Sequence, residues 1–212
     1  IKSIEKEKSK LDIGIIVHAR MSSTRLPGKA MLKIGGEPVV LKILLRLANK
    51  FGKDKIILST STNKNDDLMA SLIEKKGFSV YRGEEENLAD RFSDIAIDRN
   101  LTHIVRVTGD DLFRDFNSID LMLDRLITND LDYIFSDDLI LGCNSEVMNV
   151  ESLLFVNKFA KYPNQTNSLT WYLDRKDVFK IEEFNHNLHQ RYAISLMLDE
   201  QKDYDTFLKL WQ

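Results

Sequence analysis

A single cysteine, Cys143, among 212 residues leaves no intrachain disulfide framework and no cysteine-rich zinc site. Three prolines and nine glycines are too few for a flexible interdomain linker, and no internal repeat or low-complexity tract breaks the chain. No apolar run approaches the roughly 18 residues of a membrane helix. Even the stretch from Val39 to Ala48 is interrupted by Lys42 and Arg46. An excess of charge is also missing, with 30 Lys+Arg against 33 Asp+Glu and a formal net charge of -3. Nucleic acids and anionic membranes are held mainly by surplus cationic side chains, so neither is expected as a partner. The opening IKSIEKEKSK carries charge in place of an apolar signal core, which reads as an extension over residues 1–10 of a cytoplasmic protein. What remains is a 43% hydrophobic chain over 11–212, long enough to build one domain around a real core.

The order of elements sets the fold class. Leu11 to Val17 is short, apolar and β-branched, the pattern of a buried strand, and a polar loop from His18 to Lys29 follows it. Pro38 to Phe51 places Val39, Val40, Ile43, Leu44 and Leu47 at helical spacing, with Pro38 suited to a first turn. Strands at 55–60, Phe78 to Tyr81 and His103 to Val107 then alternate with helices at Asp66 to Lys76 and Glu85 to Arg99. Such alternation with short connections predicts a mostly parallel sheet covered by helices, with ligands beyond the carboxyl ends of its strands. Two loops occupy such ends, 18–29 and 108–115. Past residue 130 the alternation loosens: strands are expected at Leu131 to Phe135, Ser145 to Asn149, Val178 to Phe184 and Arg191 to Leu196. Helices are expected at Val150 to Lys161, Asn167 to Leu173 and Gln201 to Trp211.

Residues 18–33, HARMSSTRLPGKAMLK, hold Arg20, Arg25, Lys29 and Lys33 and no acid. Ser22, Ser23 and Thr24 add hydroxyls, and Pro27-Gly28 forces a turn that brings backbone N–H groups close to a ligand. Guanidinium, ammonium and amide donors at a strand-to-loop junction suit a polyphosphate, although a solvated basic loop has the same composition. Neither GxxxxGK[ST] nor GxGxxG is present, so the loop is not a Walker or dinucleotide fingerprint.

The segment IIVHARMSSTRLPGKAMLKIGGEPVV, residues 15–40, resembles the signature of the cytidylyltransferases that activate acidic sugars, the CMP-sialate and CMP-Kdo synthetase superfamily. It is most similar to the spore-coat polysaccharide biosynthesis protein F branch, with its pattern Q-A-R-x-x-S-x-R-L-P-G-K. The similarity continues through STSTNKNDD at 59–67, VYRGEEENLADRF at 80–92 and IVRVTGDD at 104–111, and covers roughly residues 11–150. The resemblance implies a Rossmann-like three-layer α/β fold of the nucleotide-diphospho-sugar transferase type, with a mostly parallel mixed sheet and a small C-terminal lobe or arm. It also divides the domain into a nucleotide half, about 11–130, and an acceptor half, about 131–212.

By that resemblance, Arg20, Ser23, Arg25 and Lys29 surround CTP, Ala19 lies near the base, and Ser59, Ser61 and Arg82 line the nucleotide side. Buried packing at a strand end accounts for the two serines equally well. Asp110 and Asp199, the latter in LDEQKDY at 198–204, correspond to the family's Mg²⁺ carboxylates; an Asp before a helix also serves as an N-cap. Arg20, Lys29 and Asp110 are the catalytic candidates. Relatives carry Gln or Pro where this chain has His18. Asp90-Arg91 resembles the family's helix start and equally suits an internal ion pair.

The implied reaction joins CMP from CTP to an acidic, sialic-acid-like sugar for surface polysaccharide, releasing pyrophosphate. The alternatives are a nucleotidyltransferase using another NTP or a sugar phosphate, and a non-catalytic nucleotide-binding homologue, because GDDLFRD departs from the family's G-D-C-P-L-I-D-P. In the acceptor half Glu146 and Thr170 match family positions, and Arg191 is a candidate for a sugar carboxylate. Apolar segments at 139–141 and 153–159 either pair two subunits in a homodimer, as relatives commonly do, or bury a helix face within one subunit.

Overall fold

The computed structural model of the protein describes residues 11–137, 139–160, 169–186 and 195–211. Strand β1 (Ile13–His18) lies at the centre of the sheet, hydrogen-bonded in parallel to β4 (Ile56–Ser61) on one side and β6 (His103–Thr108) on the other. Beyond β4 lies parallel β5 (Ser79–Gly83). On the other flank β8 (Glu146–Asn149) runs antiparallel to both β6 and β7 (Tyr133–Phe135), and β9 (Ile181–Glu183) closes the edge parallel to β7. The seven strands therefore run in the order β5-β4-β1-β6-β8-β7-β9. Between β1 and β4 a short hairpin, β2 (Lys33–Ile34) and β3 (Glu37–Pro38), leads into helix α1 (Val39–Phe51). Pro38 stands just before this helix, as its N-cap.

Helices cover both faces. One core joins Ile15 and Val17 to α1, α2 (Asp67–Lys75), α4 (Asn117–Thr128) and α7 (Gln201–Leu210). The other joins Ile16, Ile57 and Ile104 to α3 (Leu88–Asp98), α5 (Val150–Phe159) and α6 (Leu169–Leu173). This is the mostly parallel sheet expected from the alternation, and the three-layer mixed arrangement that the resemblance implies. Helix α4 was not anticipated. Ile119, Met122, Leu123 and Leu126 give it a buried face, but its end at Asn129-Asp130 carries no glycine, and Asp130 itself takes the left-handed conformation, with φ of 51°. Residues 191–194 of the strand expected at 191–196, Arg191 among them, and residues 167–168 of the helix expected at 167–173 lie outside the described residues; at the end of that strand Ser195 forms a bridge with Leu141. Within the described residues the second half extends the same sheet. On α5, Leu153 and Val156 are buried within this subunit, whereas Phe155 and Phe159 are exposed. No helix among the described residues is long and apolar enough to cross a membrane.

A polar knot ties the two halves together. Arg106 on β6 pairs with Glu146 on β8, which also accepts hydrogen bonds from Tyr133 at 2.9 Å and Thr170 at 3.1 Å. Burial works against the Glu146 charge, yet the guanidinium groups of Arg106 and Arg114 and the two hydroxyl donors outweigh it and hold the carboxyl below its ordinary value. A carboxyl depressed in the folded state stabilises the fold above its unfolded pKa and loses that contribution as pH falls. Urea midpoints recorded from about pH 6 down to about pH 3 are therefore expected to drop less steeply in Glu146→Gln than in the wild type, with the difference opening below about pH 4.5.

Candidate active site

The loop after β1 is positioned by two devices. Gly28, at φ of 73°, turns the chain in the left-handed region, so that its N–H donates to Met21 O at 3.0 Å and Lys29 is aimed back across the strand end. The buried carboxylate of Asp66 anchors the loop's start, accepting from Met21 N at 2.8 Å while its other oxygen takes Thr60 Oγ1 at 2.9 Å and Ser61 N at 3.1 Å. Beside the loop, β6 ends at Thr108 and the chain passes through Gly109. A Cβ on Gly109 would lie 2.6 Å from Ala19 Cβ, so only glycine lets the two strand ends touch. Between them opens a cleft of about 260 Å³, lined by the loop from His18 to Ala30 together with Arg91 and Thr108 to Asp110.

Lys29 and Asp110 line this cleft, and Lys29 joins Asp110 to the other candidate metal carboxylate, Asp199. Lys29 Nζ pairs with Asp110 and donates to Asp199 Oδ1 at 2.7 Å, and Arg25 takes the other Asp199 oxygen at 3.0 Å. Burial opposes the ammonium charge, but Asp110 and then Asp199 outweigh it and raise the Lys29 pKa above its ordinary value. Asp199 is not the N-cap of α7. Glu200 takes that place, in a reciprocal capping box with Asp203, which leaves the Asp199 side chain free to face the loop. Asp111, next to Asp110, is buried and turned away; burial raises its pKa, and Arg114 compensates it with a hydrogen bond of 2.6 Å.

Arg20 also lines the cleft, with its guanidinium held by Glu85 at 3.1 Å and Glu86 at 2.8 Å. Ser22 and Asn63 donate to the same Glu85, so the acidic run before α3 fastens the rim of the loop. Ser23 faces the cleft. Arg91 does so as well, though only 3% exposed, and its Nη1 donates to the carbonyls of Glu84 at 2.8 Å and Glu85 at 3.0 Å. No carboxylate among the described residues forms an ion pair with it, so the Asp90-Arg91 pair does not form; Asp90 instead accepts from Asn157 at 3.3 Å.

Three expected nucleotide-side residues do not line the cleft. The Ser59 carbonyl accepts from Ala19 N at 3.1 Å, while its side chain is buried. Ser61 is bound to Asp66. Arg82 braces the loop after β4, donating to Ser61 O at 2.9 Å, Asn63 O at 3.0 Å and Asp67 at 2.6 Å. Asp66, Thr108 and the Glu85-Glu86 clasp escaped the sequence reading because an Asp at a helix start and an acid run before a helix have ordinary structural uses. A wider depression of about 620 Å³ beside Leu121, Arg125 and Phe184 contains neither the basic loop nor the converging carboxylates.

The sequence pattern of the family described as cytidylyltransferase matches residues 14–212. The chain belongs to the cytidylyltransferase family. It is 33% identical over 198 residues to MJ1063 of Methanocaldococcus jannaschii, described as uncharacterized, covering 92% of this chain and 81% of that protein. It is 29% identical over 209 residues to the spore coat polysaccharide biosynthesis protein SpsF of Bacillus subtilis, covering 95% and 87%. Among solved structures, a cytidylyltransferase from Leptospira borgpetersenii superposes with a TM-score of 0.85 at 27% identity, covering 93% of this chain and 85% of that one. The CMP:2-keto-3-deoxy-manno-octonic acid synthetase solved with CTP shares the fold, at a TM-score of 0.70 and 14% identity over 94% of this chain and 98% of that one. In this cytidylyltransferase the loop from His18 to Lys29 and the ends of β1 and β6 therefore form the candidate catalytic centre.

Proposed function

We propose that this cytidylyltransferase transfers CMP from CTP to an acidic, sialic-acid-like sugar with Mg²⁺ and releases pyrophosphate, in the formation of surface polysaccharide. The observation that carries the reading is the convergence of Lys29, Asp110 and Asp199 beside the basic loop. The two carboxylates already close on one cationic point, and their oxygens are the hard donors that Mg²⁺ prefers. Asp110 and Asp199 would hold it, and bound there it would neutralise phosphate charge and lower the pKa of a coordinated hydroxyl. SpsF and the 3-deoxy-manno-octulosonate cytidylyltransferases among the relatives support the acceptor and pathway by their names.

In the reaction the acceptor hydroxyl oxygen attacks the α-phosphorus, the bond to the bridging oxygen breaks, and the hydroxyl proton passes to solvent. Lys29 and Arg25 supply charge where the pyrophosphate forms, and Arg20 joins them once phosphate displaces Glu85 and Glu86. Donors already fixed in place stabilise such charge better than water that must reorient to meet it. Ala19, a small residue of the cleft lining, leaves space for the nucleoside beside the strand ends.

The test is pyrophosphate release with CTP, UTP, ATP and GTP, each offered with N-acetylneuraminic acid and with 3-deoxy-manno-octulosonate. Turnover with CTP alone, lost on EDTA and restored by Mg²⁺, is the expected result. Equal turnover with another NTP would overturn the reading.

A further inference from the structure

The turn that carries Asp110 lacks both prolines of the pattern G-D-C-P-L-I-D-P. Leu112 and Phe116 stand in their places, and Asp111 and Arg114 stand where that pattern has Cys and Ile. Proline fixes φ in such a turn, so a chain without it needs another means of holding one shape. Asp111 and Arg114 supply it. Both are buried, with exposures of 8% and 4%. A single oxygen, Asp111 Oδ2, accepts from Arg114 Nη2 at 2.6 Å and from Thr108 Oγ1. The same Nη2 also donates to Thr108 Oγ1 at 2.8 Å, and Nη1 donates to Arg106 O at 3.4 Å. Compared with an apolar pair of similar volume, a buried ion pair gains a fold little stability or none, so stability alone does not account for this one.

Its place in the chain does. Asp110 and Asp111 are consecutive and are held by different partners, Asp110 by Lys29 at the cleft and Asp111 by Arg114 in the interior. Thr108 precedes the Gly109-Asp110 step and Asp111 follows it, and one guanidinium grips both. Backbone bonds across the turn are sparse, with Asp111 N reaching Thr108 O at 3.4 Å and Leu112 N reaching Asp110 O at 3.1 Å. Gly109 adds backbone freedom inside the same step. The side-chain closure therefore fixes the direction in which Asp110 leaves the end of β6.

We infer that Asp111 and Arg114, closing on Thr108, are positioning residues that hold the Asp110 carboxylate in place for a divalent cation. The inference rests on the reading of Asp110 as a metal carboxylate and adds to it the side chains that aim it. Groups that orient a metal ligand in this way contribute about 10- to 100-fold to metal affinity.

The test is Mn²⁺ binding, read from the paramagnetic resonance signal of the free ion, by the full chain with CTP at a concentration below that of the protein. Thermal midpoints are recorded beside it. In the double variant Asp111→Leu with Arg114→Met an apolar pair replaces the ion pair, and the midpoint should stay within about 3 °C while Mn²⁺ affinity falls about tenfold. Asp111→Asn should do the reverse. Its one amide oxygen can take both bonds that Oδ2 takes, so Mn²⁺ affinity should stay within about threefold, while the uncompensated Arg114 charge lowers the midpoint by about 5 °C. A purely structural pair would move both readouts together. Arg114→Lys keeps the charges without the fork, should lose about tenfold in Mn²⁺ affinity, and decides the matter if the double variant does not fold. A loss of less than about threefold in the double variant or in Arg114→Lys would overturn the inference, as would a loss in Asp111→Asn equal to theirs. Those outcomes leave Asp110 standing as a metal carboxylate. A wild type that held Mn²⁺ no better than CTP alone does would overturn that reading and the inference with it.

Discussion

Lys29→Ala is expected to lower kcat/KM for CTP by about a thousandfold, at the upper end of what one fixed donor to developing charge contributes. The side chain is only 14% exposed and lies between two carboxylates. In the proposed reaction its removal would take away a cation that meets the leaving phosphates and would leave Asp110 and Asp199 facing them uncompensated. Lys29→Arg keeps the charge, but the planar fork does not replace a compact ammonium between two carboxylates, so it should still lose at least about tenfold. Steady-state pyrophosphate release measures both, and a single cooperative melting transition shows that the variants are folded. Activity within threefold of the wild type in Lys29→Ala would remove Lys29 from the centre.

The second large effect concerns the segment that brings in Asp199. A chain ending at Leu198 is expected to have no measurable turnover and a thermal midpoint lower by about 10 °C. Such a chain loses Phe207, which is buried and packed edge-on against Phe113 at 5.1 Å, and a deletion of that size costs about 3–5 kcal/mol. It also loses the bond from Tyr204 Oη to Lys33 O, 2.8 Å long, and the contact of Lys42 Nζ with the Trp211 ring at 4.4 Å. Asp199→Asn separates chemistry from stability: turnover should fall about a hundredfold while the midpoint stays within about 3 °C. If both variants lost the same stability, Asp199 would be a structural rather than a catalytic group.

Much of the central sheet was legible because buried parallel strands are written as short apolar runs. LDIGIIV has one reading, and the parallel order follows once helices separate such runs. Helix α4 escaped because its signal is only the spacing of four apolar residues between two acidic loops; Asp115, which accepts from Asn117 N and Ser118 N at its start, reads as one more loop acid, and no glycine marks its end. At the site, Lys29, Asp110 and Asp199 could each be picked out, but their meeting could not be derived from spacing, since contact between residues so far apart is set by topology. Ser61 and Arg82 are the counterexample. Both lie in a segment that matches the family, and the local fold uses both to hold a loop. Arg20 shows the same limit at closer range, since nothing in EEE says that it closes on an arginine of the other loop.

Lys29 and Asp199 are 170 residues apart along the chain. A ribosome adding 5–20 residues per second separates their synthesis by about 10–30 s. During that interval the basic loop and the strands around it have emerged and can begin to pack, while the Lys29–Asp199 pair cannot form. In the proposed reaction a nascent chain of that length would lack one of the two metal carboxylates, and competence would arrive in one late step when α7 settles against the hairpin.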